Sequence, residues 1–299
     1  MACVTLPEFA MIVIGASVHP TTILTLTILV GGGSFFAGLL GAMTGLGGGV
    51  VLIPMLTLVF GVDIHYAIGA SLVSVIATSS GAAAAYVREG YTNIRVGMFL
   101  EIATSLGAIF GALLAANVNT RWIGIIFGLV LFHSAYMSLR PPPEEPGDSG
   151  RTDRWAELLQ LDGEYPRAGG MQSYHVQSVP GGFALMGMAG VLSGLLGIGS
   201  GAIKVLAMDR IMRLPFKVST TTSNFMIGVT AAASAGVYLG RGYIDPGLSM
   251  PVMLGVLAGS LLGAKLLARA RVRHLRMLFA LVIAALGAEM VYNSLMGNL

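Results

Sequence analysis

Hydrophobic residues make up 55% of this 299-residue chain and charged residues only 10%, with a mean hydropathy of +0.80 and a formal net charge of +3. A soluble domain carries roughly 25% charged residues, so most of this surface must face something other than water, and a soluble enzyme is excluded. The small, scattered charge argues against nucleic-acid binding, and a single cysteine, Cys3, excludes an internal disulfide and any cysteine-cluster metal site.

No Lys or Arg precedes Arg88, so the first residues lack the positive region of a signal peptide, and 1–21 reads as an apolar N-terminal extension. Apolar runs near the length a helix needs to cross about 30 Å of hydrocarbon follow at 22–44, 66–86, 96–116 and 122–139. Between the first two lies a shorter run, 50–60, behind the cluster Gly45-Leu46-Gly47-Gly48-Gly49. At about 1.5 Å per residue it reaches roughly half to two-thirds of the way across, as the second arm of a hairpin that turns inside the membrane would. Residues 140–180 are the only long polar stretch. They begin with three prolines and mix acidic with basic side chains, which predicts a solvated cytoplasmic linker with one short amphipathic turn at Trp155–Leu161. Four more long runs follow at 181–199, 217–239, 247–268 and 274–296, with a second short one, 202–212, behind Gly197-Ile198-Gly199-Ser200-Gly201.

The two sets of runs are copies. At an offset of 152 residues, and without a gap, Gly45, Gly47 and Gly49 fall on Gly197, Gly199 and Gly201. Ser71 falls on Ser223, Thr78 on Thr230, Gly90-Tyr91 on Gly242-Tyr243, and Gly107 and Gly111 on Gly259 and Gly263. Hydrophobic composition alone would not hold one register through both loops and glycine clusters. The basic residues then orient the copies, because loops rich in Lys and Arg stay in the cytoplasm. In the second copy they occupy the loops at Arg210, Arg213 and Lys217 and at Arg269 to Arg276. The matching loops of the first copy are almost bare, and its positive charge sits in the intervening loop at Arg88 and Arg95. The predicted fold is therefore an all-α integral membrane protein of two inverted-topology repeats, 22–139 and 181–299, with broken half-helices and both termini outside. That architecture recurs in transporters, with the substrate near mid-membrane.

Irregular backbone inside a bilayer is tolerated only where protein or a polar cavity satisfies it, and a helix starting after such a turn offers free N–H groups to an anion. Gly47, Gly48 and Gly49, and Gly199, Ser200 and Gly201, are thus candidate backbone donors. The plainer reading of the glycines is close helix packing; duplication ahead of short helices favours a site. Lys204 lies in the first turn after Gly201, where a charge is costly and usually functional. Its partner position is Leu52, so the site would carry one fixed positive charge. Ser71, Ser223 and Asn224 offer hydroxyl and amide donors to an oxyanion; interhelical hydrogen bonding is their alternative role. Glu101 and Lys265 are expected to reach the interface from helix ends. Glu289 and His133 are weaker candidates for a proton relay, Asp209-Arg210 reads as a local pair, and Gly107-x-x-x-Gly111 and Gly259-x-x-x-Gly263 as packing motifs. No nucleophile–base pair, nucleotide loop or metal-ligand cluster appears, so neither cofactor nor metal is expected.

The run Gly38-Leu-Leu-Gly-Ala-Met-Thr-Gly-Leu-Gly-Gly-Gly-Val-Val-Leu-Ile-Pro54, the downstream Gly69-Ala-Ser-Leu72 and the second copy at 190–201 resemble the TauE/SafE family of permeases. The resemblance covers about 24–296, and departs at Ser200, where the first copy has Gly48, and in the long linker. It implies a multi-pass protein of the bacterial inner membrane that exports sulfite or organosulfur anions. The combined expectation is a secondary transporter of a small anion, sulfite or a short sulfonate such as sulfoacetate, working by alternating access, with membrane lipids around it and a homodimer permitted. A passive anion channel is the alternative.

Overall fold

The computed structural model describes residues 20–44, 48–88, 90–115, 117–139, 153–167, 170–267 and 272–297. In chain order the elements are α1 (Pro20–Thr44), α2 (Gly49–Pro54), α3 (Ile64–Arg88), α4 (Ile94–Ala115), α5 (Thr120–Leu139), α6 (Arg154–Leu158), β1 (Gly163–Arg167), β2 (Gly170–Tyr174), α7 (Val179–Leu196), α8 (Gly201–Leu206), α9 (Phe216–Gly240), α10 (Pro246–Leu267) and α11 (Val272–Met296). Each long apolar run of the sequence coincides with a helix. Among the described residues, α4, α7 and the Pro246–Gly263 stretch of α10 are long and apolar enough to cross a membrane by length and composition.

The register of the sequence copies recurs in the element boundaries. α2 and α8, α3 and α9, and α4 and α10 begin and end 152 residues apart. So do the wider π-helical turns that continue the two short helices, Met55–Val59 and Ala207–Ile211. Pro54 precedes the first turn but Leu206 the second, so proline is not their common cause. They share a closing bond across six residues, from Val62 N to the Leu56 carbonyl (3.0 Å) and from Leu214 N to that of Met208 (2.9 Å). The caps repeat as well. Asn93 Oδ1 accepts from Val96 N (3.0 Å) at the start of α4, and Asp245 Oδ2 from Leu248 N (3.1 Å) at the start of α10, each satisfying an amide the helix cannot.

The outer faces are apolar. On α4, Met98, Ile102, Ile109 and Phe110 are exposed, and on α10 the equivalent Met250, Leu254, Leu261 and Leu262. Side chains three or four apart share one helix face, so each helix presents a continuous apolar stripe, too extended for a water-facing surface and suited to lipid.

The chain forms two compact units, and each draws on both sequence halves. One comprises residues up to Ser74, Val118–Leu139 and Tyr238–Leu299. In it α1 lies along α10 so closely that a Cβ on Gly259 would overlap the Phe35 carbonyl, and α5 packs on α11. The other comprises Val75–Asn117 and Arg140–Val237. There α7 lies along α4, with Gly107 and Gly111 facing the Gly187 and Val191 carbonyls and Gly194 that of Ala108. The expected packing role of the small-residue motifs is met, because helices in lipid gain from close backbone approach.

The linker departs from expectation. Its second part is folded, not merely solvated. α6 is followed by an antiparallel hairpin pairing Gly163 with Tyr174 through Arg167 with Gly170. Ala156, Leu161, Tyr165 and Tyr174 are buried in one apolar cluster with Leu100 of α4 and Met212 beyond α8. Asn93 fastens the linker by donating to the Leu161 carbonyl (2.9 Å) and the Tyr174 hydroxyl (2.7 Å). Asp153 accepts from Trp155 N and Val179 N, so one carboxylate caps both α6 and the start of α7. Burial pushes the Tyr174 phenol up to about 12, against the pull of the Asn93 hydrogen bond. The missed signal was Gly169-Gly170 between two five-residue segments each carrying a tyrosine, a hairpin pattern.

Candidate functional site

α7 stops at Gly197, whose φ of 67° turns the chain out of the helix while its N–H still bonds the Ser193 carbonyl at 2.8 Å. Gly199 (φ 72°) and Ser200 (φ 46°) are also left-handed. That conformation costs a non-glycine residue roughly 1–2 kcal/mol, so Ser200 is held there by its surroundings. A Cβ on Gly199 or on Gly201 would come within 2.8 Å of the Ile227 side chain, so α9 grips the turn around Ile227. The Ser200 carbonyl then accepts from Ile203 N and Lys204 N, both at 3.1 Å, and starts α8. The Gly48 carbonyl does the same for Val51 N and Leu52 N in the first copy. Gly48 itself is right-handed (φ −64°), unlike Ser200 at the equivalent position.

Of the candidate residues, Gly199, Ser200, Gly201, Lys204 and Ser223 come together in one unit. Ser223 Oγ donates to the Gly201 carbonyl at 3.2 Å, tying α9 to the start of α8. Ser200 is buried, and no partner among the described residues reaches its Oγ. Asn224 is half-buried on α9. Gly48, Gly49 and Ser71 are buried in the other unit. Gly47 lies outside the described residues, as does the side chain of Lys265.

Lys204 is 0% exposed, as its place in the first turn of α8 predicts. It is not a lone charge. Its Nζ donates to Thr230 Oγ1 at 2.5 Å, and that hydroxyl reaches Glu101 Oε1 at 2.7 Å. Glu101 Oε1 also accepts from Ser105 Oγ at 2.8 Å, one turn along α4. The expectation that Glu101 reaches an interface is therefore wrong. It is 6% exposed and points into the unit, because a buried ammonium within one hydroxyl's reach stabilises a buried carboxylate better than a distant headgroup does. The same contact overturns the single-charge picture of the site. Glu289 and His133 are both exposed. Asp209 does pair locally with Arg210, at 3.7 Å.

Glu101 and Thr230 are the members of this buried cluster that sequence reasoning undervalued. The repeat held a signal: each charge is unmatched across it, the first copy having Leu52 opposite Lys204 and the second Met253 opposite Glu101.

Lipid-facing apolar helices, recurring elements around two glycine turns and a buried charge pair define a multi-pass membrane transporter. The chain belongs to the sulfite exporter TauE/SafE family, whose model matches residues 29–290. It is similar to the probable membrane transporter protein YunE of Bacillus subtilis, 26% identical over 87% of this chain and 95% of the relative. It is also similar to YdhB of the same organism, another probable membrane transporter protein, 28% identical over 77% of this chain and 86% of that one. The probable membrane transporter protein MJ0441 of Methanocaldococcus jannaschii is 25% identical over 90% of this chain and 96% of its own length. No solved structure matches.

Proposed function

We propose that this transporter exports a small sulfur oxyanion, sulfite or a short sulfonate, by alternating access. The observation that carries the reading is the fully buried Lys204 ammonium in the first turn behind the Gly197–Gly201 turn, four residues beyond a buried Ser200 hydroxyl without a partner among the described residues. A desolvated oxyanion needs cationic and hydroxyl donors, since charge-assisted hydrogen bonds are roughly twice as strong as neutral ones. In this reading Gly199 to Gly201 supply backbone N–H groups, Ser200 and Lys204 bind the oxygens, and Ser223 and Asn224 orient them. Gly47 to Gly49 and Ser71 form the uncharged counterpart in the first copy. The family's description as sulfite exporters supports the substrate class.

The alternation of basic loops supports inverted repeats, with the linker cytoplasmic, both termini outside and the short helices as re-entrant half-helices. Alternating access is what such symmetry serves.

The test is thermal stabilisation of the detergent-purified chain by sulfite, sulfoacetate, taurine, sulfate and acetate. A ligand at about 100 times its dissociation constant adds about 2.7 kcal/mol. The expected result is stabilisation by a sulfur oxyanion that is lost in Lys204→Met. Equal stabilisation of wild type and Lys204→Met would remove Lys204 from the site.

A further inference from the structure

We infer that Glu101 is a proton-binding site, and that the Glu101–Thr230–Lys204 chain couples one proton to each anion the transporter carries. This rests on the anion reading above and adds the coupling ion to it.

Charge balance in a buried place carries the argument. Lys204 and Glu101 are 0% and 6% exposed and joined through a single hydroxyl. With both groups ionised the chain is neutral. A monoanion arriving at Lys204 would leave this buried region with a net negative charge, which low-dielectric surroundings penalise heavily. A proton taken from water by Glu101 restores neutrality, because the carboxyl is then uncharged and the ammonium is free to pair with the anion.

The geometry is built for that exchange. The two hydroxyl donors of Glu101, Thr230 and Ser105, both converge on Oε1. No donor among the described residues reaches Oε2, though it is buried, so Oε2 is the atom open to a proton. Thr230 has a second acceptor within reach, the Met226 carbonyl at 3.0 Å. Its hydroxyl proton can turn there when Glu101 is neutral, without losing a hydrogen bond.

Among the titratable groups on elements around Glu101, Lys204 is the one joined to it, through the Thr230 hydroxyl. α7, packed along α4, carries no titratable side chain. Beyond Lys204, Asp209 pairs with Arg210. On α9, Lys217 lies over the Tyr91 ring, 5.5 Å from its centroid. On α4 itself, Arg95 bonds the Gln160 carbonyl. Each copy contributes one of the two charges, since Leu52 stands opposite Lys204 and Met253 opposite Glu101 in the repeat, so the device joins the two copies. Because proton and anion travel together, the carried charge is zero. Export then follows the anion's own outward gradient, corrected for the pH difference across the membrane.

The test has two arms on the full-length chain, with Glu101→Gln as the variant, since the amide keeps the shape and an oxygen acceptor, stands in for the neutral carboxyl and cannot titrate. In the first, the protonated-carboxyl stretch of purified protein is followed by infrared spectroscopy as pH is varied, without any anion substrate. Wild type should show a titrating buried carboxyl that is absent from Glu101→Gln. Identical titrations in the two proteins overturn the inference. In the second, labelled methanesulfonate, whose charge is constant near neutral pH, is followed in proteoliposomes. Glu101→Gln, fixed in the neutral form, should show sulfonate exchange that no longer varies with pH and lose accumulation driven by a pH gradient. Gradient-driven accumulation that survives in Glu101→Gln overturns the coupling. A wild type that titrates at Glu101 but exchanges no sulfonate refutes the anion reading and upholds the proton site.

Discussion

Replacing Lys204 and Glu101 by the residues of the other copy forms a double-mutant cycle whose outcome the structure dictates. Lys204→Leu leaves a buried carboxylate without its counter-charge. Glu101→Met leaves the buried ammonium likewise unpaired. Removing one partner of a buried pair costs roughly 3–5 kcal/mol. The double variant contains neither charge and carries the residue types found at the repeat-equivalent positions, Leu52 and Met253. Apolar replacement of a whole buried pair is often neutral, so it should lie within about 1–2 kcal/mol of wild type, the remainder being the lost partner of Thr230. The assay is thermal unfolding of the purified chain in detergent, followed by tryptophan fluorescence. At about 2–4 °C per kcal/mol, each single variant should melt roughly 8–15 °C lower and the double variant within about 5 °C of wild type. A double variant that loses the sum of the two single effects would refute the pairing.

Two further outcomes follow from packing and burial. Gly194→Ala places a methyl against the Ala108 carbonyl and should cost about 1–3 kcal/mol as overpacking. Gly236→Ala, on α9 with nothing within 4 Å of the added carbon, should instead stabilise by about 0.5–1 kcal/mol; thermal unfolding of the pair separates contact from propensity. In the linker, the Tyr174 phenol rises from 10.0 to about 12 because it is buried. Its contribution to stability, about 2–3 kcal/mol, is fully present below pH 10 and is lost as pH climbs towards 12. Ultraviolet titration of wild type against Tyr174→Phe should show one tyrosine ionising late, and a difference curve with its midpoint near pH 10 would contradict its burial.

The sequence by itself determined the class, the helices and the repeat. Hydrophobic run length is a one-dimensional property, so the long runs could be placed directly. A single offset of 152 residues carried the boundaries of α2, α3 and α4 onto those of α8, α9 and α10. The burial of Lys204 was legible too, because its position is set by local spacing from Gly201. What the sequence could not reveal was which side chains meet across helices. Glu101 looked peripheral because position along α4 says nothing about which face turns inward; only the packing around α4 aims it at Thr230 of α9, 129 residues away. The linker was misread for the same reason. Its polarity is real, but Leu161, Tyr165 and Tyr174 find apolar cover only because Leu100 and Met212 are folded beneath them. Charge compensation and burial are properties of neighbours in space, and those neighbours exist only once the chain has packed.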